Sequence, residues 1–172
     1  MVDYVEYLYR ARFTKPELKE KIKVWKVLTR HFFQRYVRMG DTVLDVGAGY
    51  CEFINNIKAR RKIAVDINKD IYKFADRDVE IVLNDCKKMS GVADSSVDVV
   101  FISNILEHLG GAGEIEMTLL EAKRVLRRGG LLLIMQPNIK YAFREYWDFF
   151  DHVVPLSHKG TVEALLKNGY DL

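Results

Sequence analysis

Five short apolar runs, each bounded by polar or glycine-rich stretches, constrain this chain more than any other feature: Thr42–Val46, Lys62–Val65, Glu80–Leu83, Val97–Ile102 and Leu131–Met135. Runs of this length rich in Val, Ile and Leu are strand-sized, and near-continuous hydrophobicity marks strands buried on both faces of a sheet. The gaps between them leave room for a helix or a long loop. Candidate helices occupy about 50 to 59, 69 to 75 and 112 to 127, the last carrying Ile115, Leu119, Leu120 and Leu126 and closing at Gly129-Gly130. Such alternation predicts an α/β fold, a doubly wound, mostly parallel sheet of about five strands with helices on both faces. Upstream, Pro16-Glu17 marks a helix start, and Leu18, Ile22, Trp25, Leu28, Phe32, Phe33 and Tyr36 recur at helical spacing. They predict one long amphipathic helix ending near Met39-Gly40. A final helix is expected over 158 to 168, capped by Ser157 and stopped by Gly169.

At 172 residues, 49% of them hydrophobic, the chain suits a single domain, with residues 1–40 as an N-terminal helical cap and 41–172 as the core. Lys and Arg exceed Asp and Glu only by 27 to 24 and are scattered, apart from short groups at Lys58 to Lys62 and Arg127-Arg128. Nucleic acid is therefore not an expected partner, and a small molecule is. Cys51 and Cys86 lack CxxC spacing, so neither a disulfide framework nor a zinc site is indicated, and no metal is expected. Met1 to Arg10 lacks the apolar core of a signal peptide, and no apolar run approaches membrane-spanning length. The expectation is a cytoplasmic protein without a membrane span.

In an open α/β sheet, ligands bind beyond the carboxyl ends of the strands, where strand order reverses. Those ends are polar in this chain. The first run stops in Asp45-Val-Gly-Ala-Gly49, where glycines let backbone approach a ligand and the expected following helix would present free N–H groups. The second ends in Asp66, 21 residues after Asp45, the place of a carboxylate that grips ribose hydroxyls in nucleotide-binding folds. The third runs into Asn84-Asp85-Cys86 and the fourth into Ser103-Asn104. Three acids and an Asn at successive strand ends make a nucleoside pocket.

Val43-Leu-Asp-Val-Gly-Ala-Gly49 is similar to the first motif of the class I methyltransferases that use S-adenosylmethionine (SAM). Ser103-Asn-Ile-Leu-Glu-His-Leu109 is similar to the segment after their fourth strand, and Val125 to Ile134 resembles their turn into the fifth; the likeness covers roughly residues 41 to 169. The resemblance implies that Asp45, Gly47 and Gly49 surround the methionine moiety of SAM, that Asp66 holds the ribose, and that Asp85 with Cys86 meets the adenine. Ala48, Ile67 and Asn104 complete the expected cofactor contacts. Two departures stand out. Many members carry a third glycine where Cys51 stands, and the family's sheet normally ends with two further strands that residues 138–172 do not provide. The chain is thus expected to be C-terminally incomplete, with an open outer edge on its fifth strand through which it could self-associate.

Methyl transfer from a sulfonium mainly requires alignment, and an oxygen acceptor can also require a base. His152 and His108 are the candidates, since both follow strand ends and histidine titrates near neutral pH; the alternative is that each is a structural loop residue. The aromatic stretch Tyr141 to Phe150 could wall the acceptor, with Arg144 for an anionic group, and Tyr7, Tyr9, Arg10, Arg12 and Phe13 could close over it. By the same resemblance, the lack of an Asn-Pro-Pro-Tyr type segment after strand four argues against a nucleic-acid base amine; an oxygen of a small molecule is the expected acceptor, with a nitrogen or a carbon left open. Two other classes compete. A nicotinamide-dependent oxidoreductase shares the acid after the glycine turn but needs a glycine where Glu52 stands. A non-catalytic or truncated SAM-binding module is the other.

Overall fold

The computed structural model describes residues 14–172, so Tyr7, Tyr9, Arg10, Arg12 and Phe13 lie outside the described residues. The first helix, α1 (Lys15–His31), opens on a reciprocal cap. The Thr14 hydroxyl accepts from the Glu17 N–H, and the Glu17 carboxylate accepts from the Thr14 N–H at 2.7 Å, so two donors that the helix itself leaves unpaired are satisfied. α1 stops at His31, short of the expected Met39-Gly40, and Phe33–Tyr36 forms a 3₁₀ turn. Gln34 gives the reason: its amide donates to the carbonyls of Val37 and Lys58 and accepts from the Lys58 N–H, which turns the chain towards the rim of the sheet.

The strands are β1 (Thr42–Val46), β2 (Arg61–Asp66), β3 (Val79–Leu83), β4 (Val97–Ser103) and β5 (Leu126–Met135). They form one parallel sheet in the order β3-β2-β1-β4-β5. The chain winds outward from β1 to β3, then returns to place β4 on the other side of β1, so the reversal of strand order falls between β1 and β4.

Side chains alternate between two cores, as the two-residue period of a strand requires. Leu44, Val46, Ile63, Val65, Val100 and Ile102 point to one face, against helix α3 (Ala112–Val125) and helix α5 (His158–Lys167). Val43, Ala64, Val99 and Phe101 point to the other, where Trp25, Phe33, Phe53 and Ile71 cover them. Phe53 stacks on Phe101 at 3.8 Å between ring centroids, while Phe33 and Trp25 meet Phe101 edge-on. Helical segments therefore lie on both faces, with α1 contributing to the second.

Further segments also differ from the sequence expectation. Residues 50–59 form successive turns rather than a helix. The Asn55 side chain donates to the Phe74 carbonyl and accepts from the Asp76 N–H, while the Asn56 amide donates to the Glu52 carbonyl; these side chains compete with a regular backbone ladder. The remaining expected helix here, α2 (Ile71–Phe74), is a single turn. β5 in turn begins at Leu126, directly after α3, with a register shift between Val97 and Val99 of β4. Gly130 permits it, because a Cβ there would lie 2.9 Å from the Arg127 carbonyl oxygen and 3.0 Å from that of Asp98.

After β5 come the short helix α4 (Ile139–Ala142), a 3₁₀ turn over Tyr146–Asp148, and α5. Ser157 caps α5 as expected, accepting from the Gly160 N–H at 3.2 Å. Among the described residues β5 pairs only with β4, leaving its outer edge without a strand. α5 leans over one face of that edge, and a groove of about 410 Å³ remains between Leu132, Ile134 and Gln136 on one side and Thr161, Val162 and Leu165 on the other. No described helix is long and apolar enough to cross a membrane.

Candidate functional site

The end of β1 and the end of β2 are tied together by backbone. The N–H groups of Gly47 and Ala48 both donate to the Val65 carbonyl, at 2.8 and 3.2 Å. One further on, the Gly49 N–H donates to Asp66 Oδ2 at 2.8 Å, and the Asn68 N–H donates to Oδ1 at 2.8 Å. Each carboxylate oxygen of Asp66 keeps a further lone pair, so the group is oriented without being saturated. Ile67 beside it is 70% exposed, unusual for an isoleucine next to a buried strand. Gly47 has φ +67°, and a Cβ there would stand 2.0 Å from Ile105 Cδ1, so the glycine turn is in direct contact with the loop after β4.

Asp45 is buried on the face towards Ile54. Loss of water pushes its carboxyl well above the ordinary range, the negative charges of Asp66 and Glu52 push the same way, and the Ile54 N–H offsets part of it. Cys51 is fully buried with φ +60°, a backbone conformation glycine adopts freely. Burial in the company of Asp45, Asp66 and Glu52 holds its thiol up at about 12, which leaves it inert as a nucleophile at neutral pH.

Tyr50, Phe74 and Lys21 around this turn did not stand out in the sequence as site residues. Tyr50 meets Phe74 edge-on at 4.5 Å, and Lys21 of α1 reaches both the Tyr50 ring, at 5.3 Å, and Glu52, at 3.0 Å. Nothing in the spacing of Lys21 marks it; only the docking of α1 brings it here.

The third and fourth strand ends are arranged differently. Asp85 is exposed and accepts from the Lys87 N–H, while the Cys86 thiol lies 3.5 Å from Thr118 Oγ1 on α3 and packs against the α3-side core. The structure does not show Cys86 facing the glycine turn. Asn104 has φ +50°, donates its N–H to the Met135 carbonyl and leaves its side chain at the surface beside Ser103.

His108 and His152, 44 positions apart in sequence, come together with ring centroids 5.0 Å apart. The 3₁₀ turn Leu106–His108 carries the first; the second follows Asp151, whose backbone carbonyl lies 3.0 Å and carboxylate 3.3 Å from His108 Nδ1. The two loops are joined by the Val153 and Val154 N–H groups, both donating to the Glu107 carbonyl, and the second loop is itself held by the Tyr146 hydroxyl donating to the Val154 carbonyl. Tyr146 is thus the member of the aromatic stretch that goes to the interior, whereas Tyr141, Phe143, Trp147 and Phe150 are exposed. Glu107 lies between the histidines and the core, 2% exposed, its carboxyl raised chiefly by burial.

A parallel five-stranded sheet with a glycine turn after its central strand, an acid at the end of the neighbouring strand and a His-bearing loop after the fourth defines a Rossmann-like methyltransferase domain. The profile of the methyltransferase-domain family matches residues 44–134, from the glycine turn to the fifth strand, and the chain belongs to that family of SAM-dependent enzymes. In structure it resembles a SAM-dependent methyltransferase from Archaeoglobus fulgidus, with a TM-score of 0.75 and 23% identity over 92% of this chain and 75% of that one. It also resembles a SAM-dependent, possible histamine N-methyltransferase from Thermotoga maritima, at 0.76 and 18%, over 96% and 81%. A geranyl diphosphate methyltransferase solved with SAM is similar at 0.68 and 17%, over 89% and 66%. No curated protein matches the sequence.

Proposed function

We propose that this protein transfers the methyl group of SAM to an oxygen of a small molecule, with the cofactor over the glycine turn and the acceptor beside the His108–His152 pair. The observation that supports this is the pairing of the Gly49 and Asn68 N–H groups with Asp66, which orients a half-used carboxylate beside the glycine turn, suited to accept from ribose hydroxyls. Asp45, Gly47, Ala48 and Gly49 would surround the methionine part, whose cationic groups suit the acid cluster of Asp45, Glu52 and Asp66. Ile67 would lie along the adenosine, with Asp85, Cys86 and Asn104 at its outer rim. In the reaction the acceptor oxygen forms a bond to the methyl carbon as the carbon–sulfur bond breaks, and the hydroxyl proton passes to a base. His152 is our choice for that base, and His108 the second, because the loop after β4 and the segment after β5 bring the two ring centroids within 5.0 Å of each other.

The test is turnover with SAM and a panel of small hydroxyl acceptors. His152→Ala should lower turnover by about 10²-fold or more with SAM affinity unchanged; equal loss of both would remove His152 from the acceptor side. Scattered surface charge speaks against a nucleic-acid acceptor. The open edge of β5 is a candidate surface for self-association, which sedimentation would show as a dimer and refute as a monomer at high concentration.

A further inference from the structure

We infer that Glu107, His108 and His152 form a binding site for one divalent transition-metal ion of the zinc class. One donor atom from each of the three lies within 4.8 Å of the others. Ligand atoms sharing a tetrahedral zinc ion are about 3.4 Å apart, from bonds of about 2.0–2.2 Å, so a small rotation of these side chains closes the site. Two imidazoles and one carboxylate are a donor set that such ions favour over magnesium or calcium.

Two further observations point to a ligand. Glu107 is 2% exposed, and its Oε2 is buried without a hydrogen-bond partner. A buried carboxylate oxygen in that state is costly, and a cation between it and the histidines satisfies it. Asp151 holds His108 Nδ1 at 3.0 and 3.3 Å, which fixes the ring and leaves the lone pair on Nε2, the outer partner that metal-bound histidines commonly have. The site is also held in advance, since the Glu107 carbonyl clamps Val153 and Val154 next to His152.

Three protein ligands leave a coordination position open, which an oxygen of the acceptor would take; this last point rests on the oxygen-acceptor reading above, whereas the ion site does not. With an ion bound, the histidines act as ligands rather than bases.

Calorimetric titration of Zn²⁺ into the full chain, stripped of metal and without SAM or acceptor, tests the site directly, and Co²⁺ reports the ligands by its visible absorption. One ion per chain is expected, weakened more than about 100-fold by Glu107→Gln or His152→Gln and about 10–100-fold by Asp151→Asn. Absence of stoichiometric binding by the unaltered chain overturns the proposal, as does binding that Glu107→Gln and His152→Gln both leave intact. Should Glu107→Gln not fold, His152→Gln and the stoichiometry of the unaltered chain decide. A chain that binds Zn²⁺ but methylates no hydroxyl would keep the ion site and reject the oxygen-acceptor reading.

Discussion

The two sides of the switch point are built by different means. On the β1–β2 side the candidate site is mostly backbone: the N–H groups of Gly47 and Ala48 tie the turn to the Val65 carbonyl, and one side chain, Asp66, is gripped by the N–H groups of Gly49 and Asn68. On the β4–β5 side it is mostly side chain, with Glu107, His108 and His152 converging from two loops that a few backbone bonds hold together. A backbone cradle is written in consecutive residues and tolerates little change. A side-chain cluster is written in separated residues and can be altered with the fold intact, which fits a common cofactor on one side and an individual acceptor on the other.

The largest effect is expected where the two sides touch. Gly47→Ala combines a left-handed backbone with a Cβ 2.0 Å from Ile105, and should cost about 2–5 kcal/mol of stability in urea unfolding. Ile105→Ala in the same chain should recover the steric part and leave the backbone part. Full independence of the two substitutions would mean that the turn and the β4 loop do not share this contact.

Asp66→Ala separates the sides cleanly. It should weaken SAM by about 1.5–3 kcal/mol, the worth of hydrogen bonds to a charged group, in a domain that still folds. Unchanged affinity would take the ribose away from Asp66.

The sequence displayed the first side far better than the second. The limits of β1 are those the apolar run indicates, and the acid at the end of β2 is visible because strand length fixes where Asp66 must fall. The run Arg127-Arg128-Gly129-Gly130 looks like a helix stop, so the pattern places the start of β5 at Leu131; the bulge between the partners of Val97 and Val99 makes these residues strand. No helix forms over 50–59, because the Asn55 side chain bonds the backbone of a later segment at Phe74 and the Asn56 side chain bonds the Glu52 carbonyl within its own turn. Nothing local marks Glu107, because the segment that closes on it, through the bonds from Val153 and Val154, lies 46 and 47 positions away. Periodicity carries local structure and strand ends; it does not carry which loops meet.

A smaller effect concerns Asp45, the acid that the cofactor side keeps buried. Its folded-state pKa is raised above the unfolded value near 3.8, so its contribution to stability is fully present below that value and is lost as pH rises through the raised one. Asp45→Asn removes that loss. The stability of the variant relative to the native chain should therefore grow as pH rises from about 4 towards neutrality, as urea unfolding at stepped pH would report. A constant difference across that range would mean that Asp45 ionises as readily in the folded state as in the unfolded one.

The central claim is that the glycine turn and Asp66 receive SAM. Calorimetric titration of the native chain with SAM, S-adenosylhomocysteine and NAD, each alone, tests it most directly. The structure leads us to expect one SAM and one S-adenosylhomocysteine per chain at the same site, in competition, and no binding of NAD. Binding of NAD with no response to SAM would contradict the account, and silence with all three would leave the fold of a methyltransferase without its cofactor.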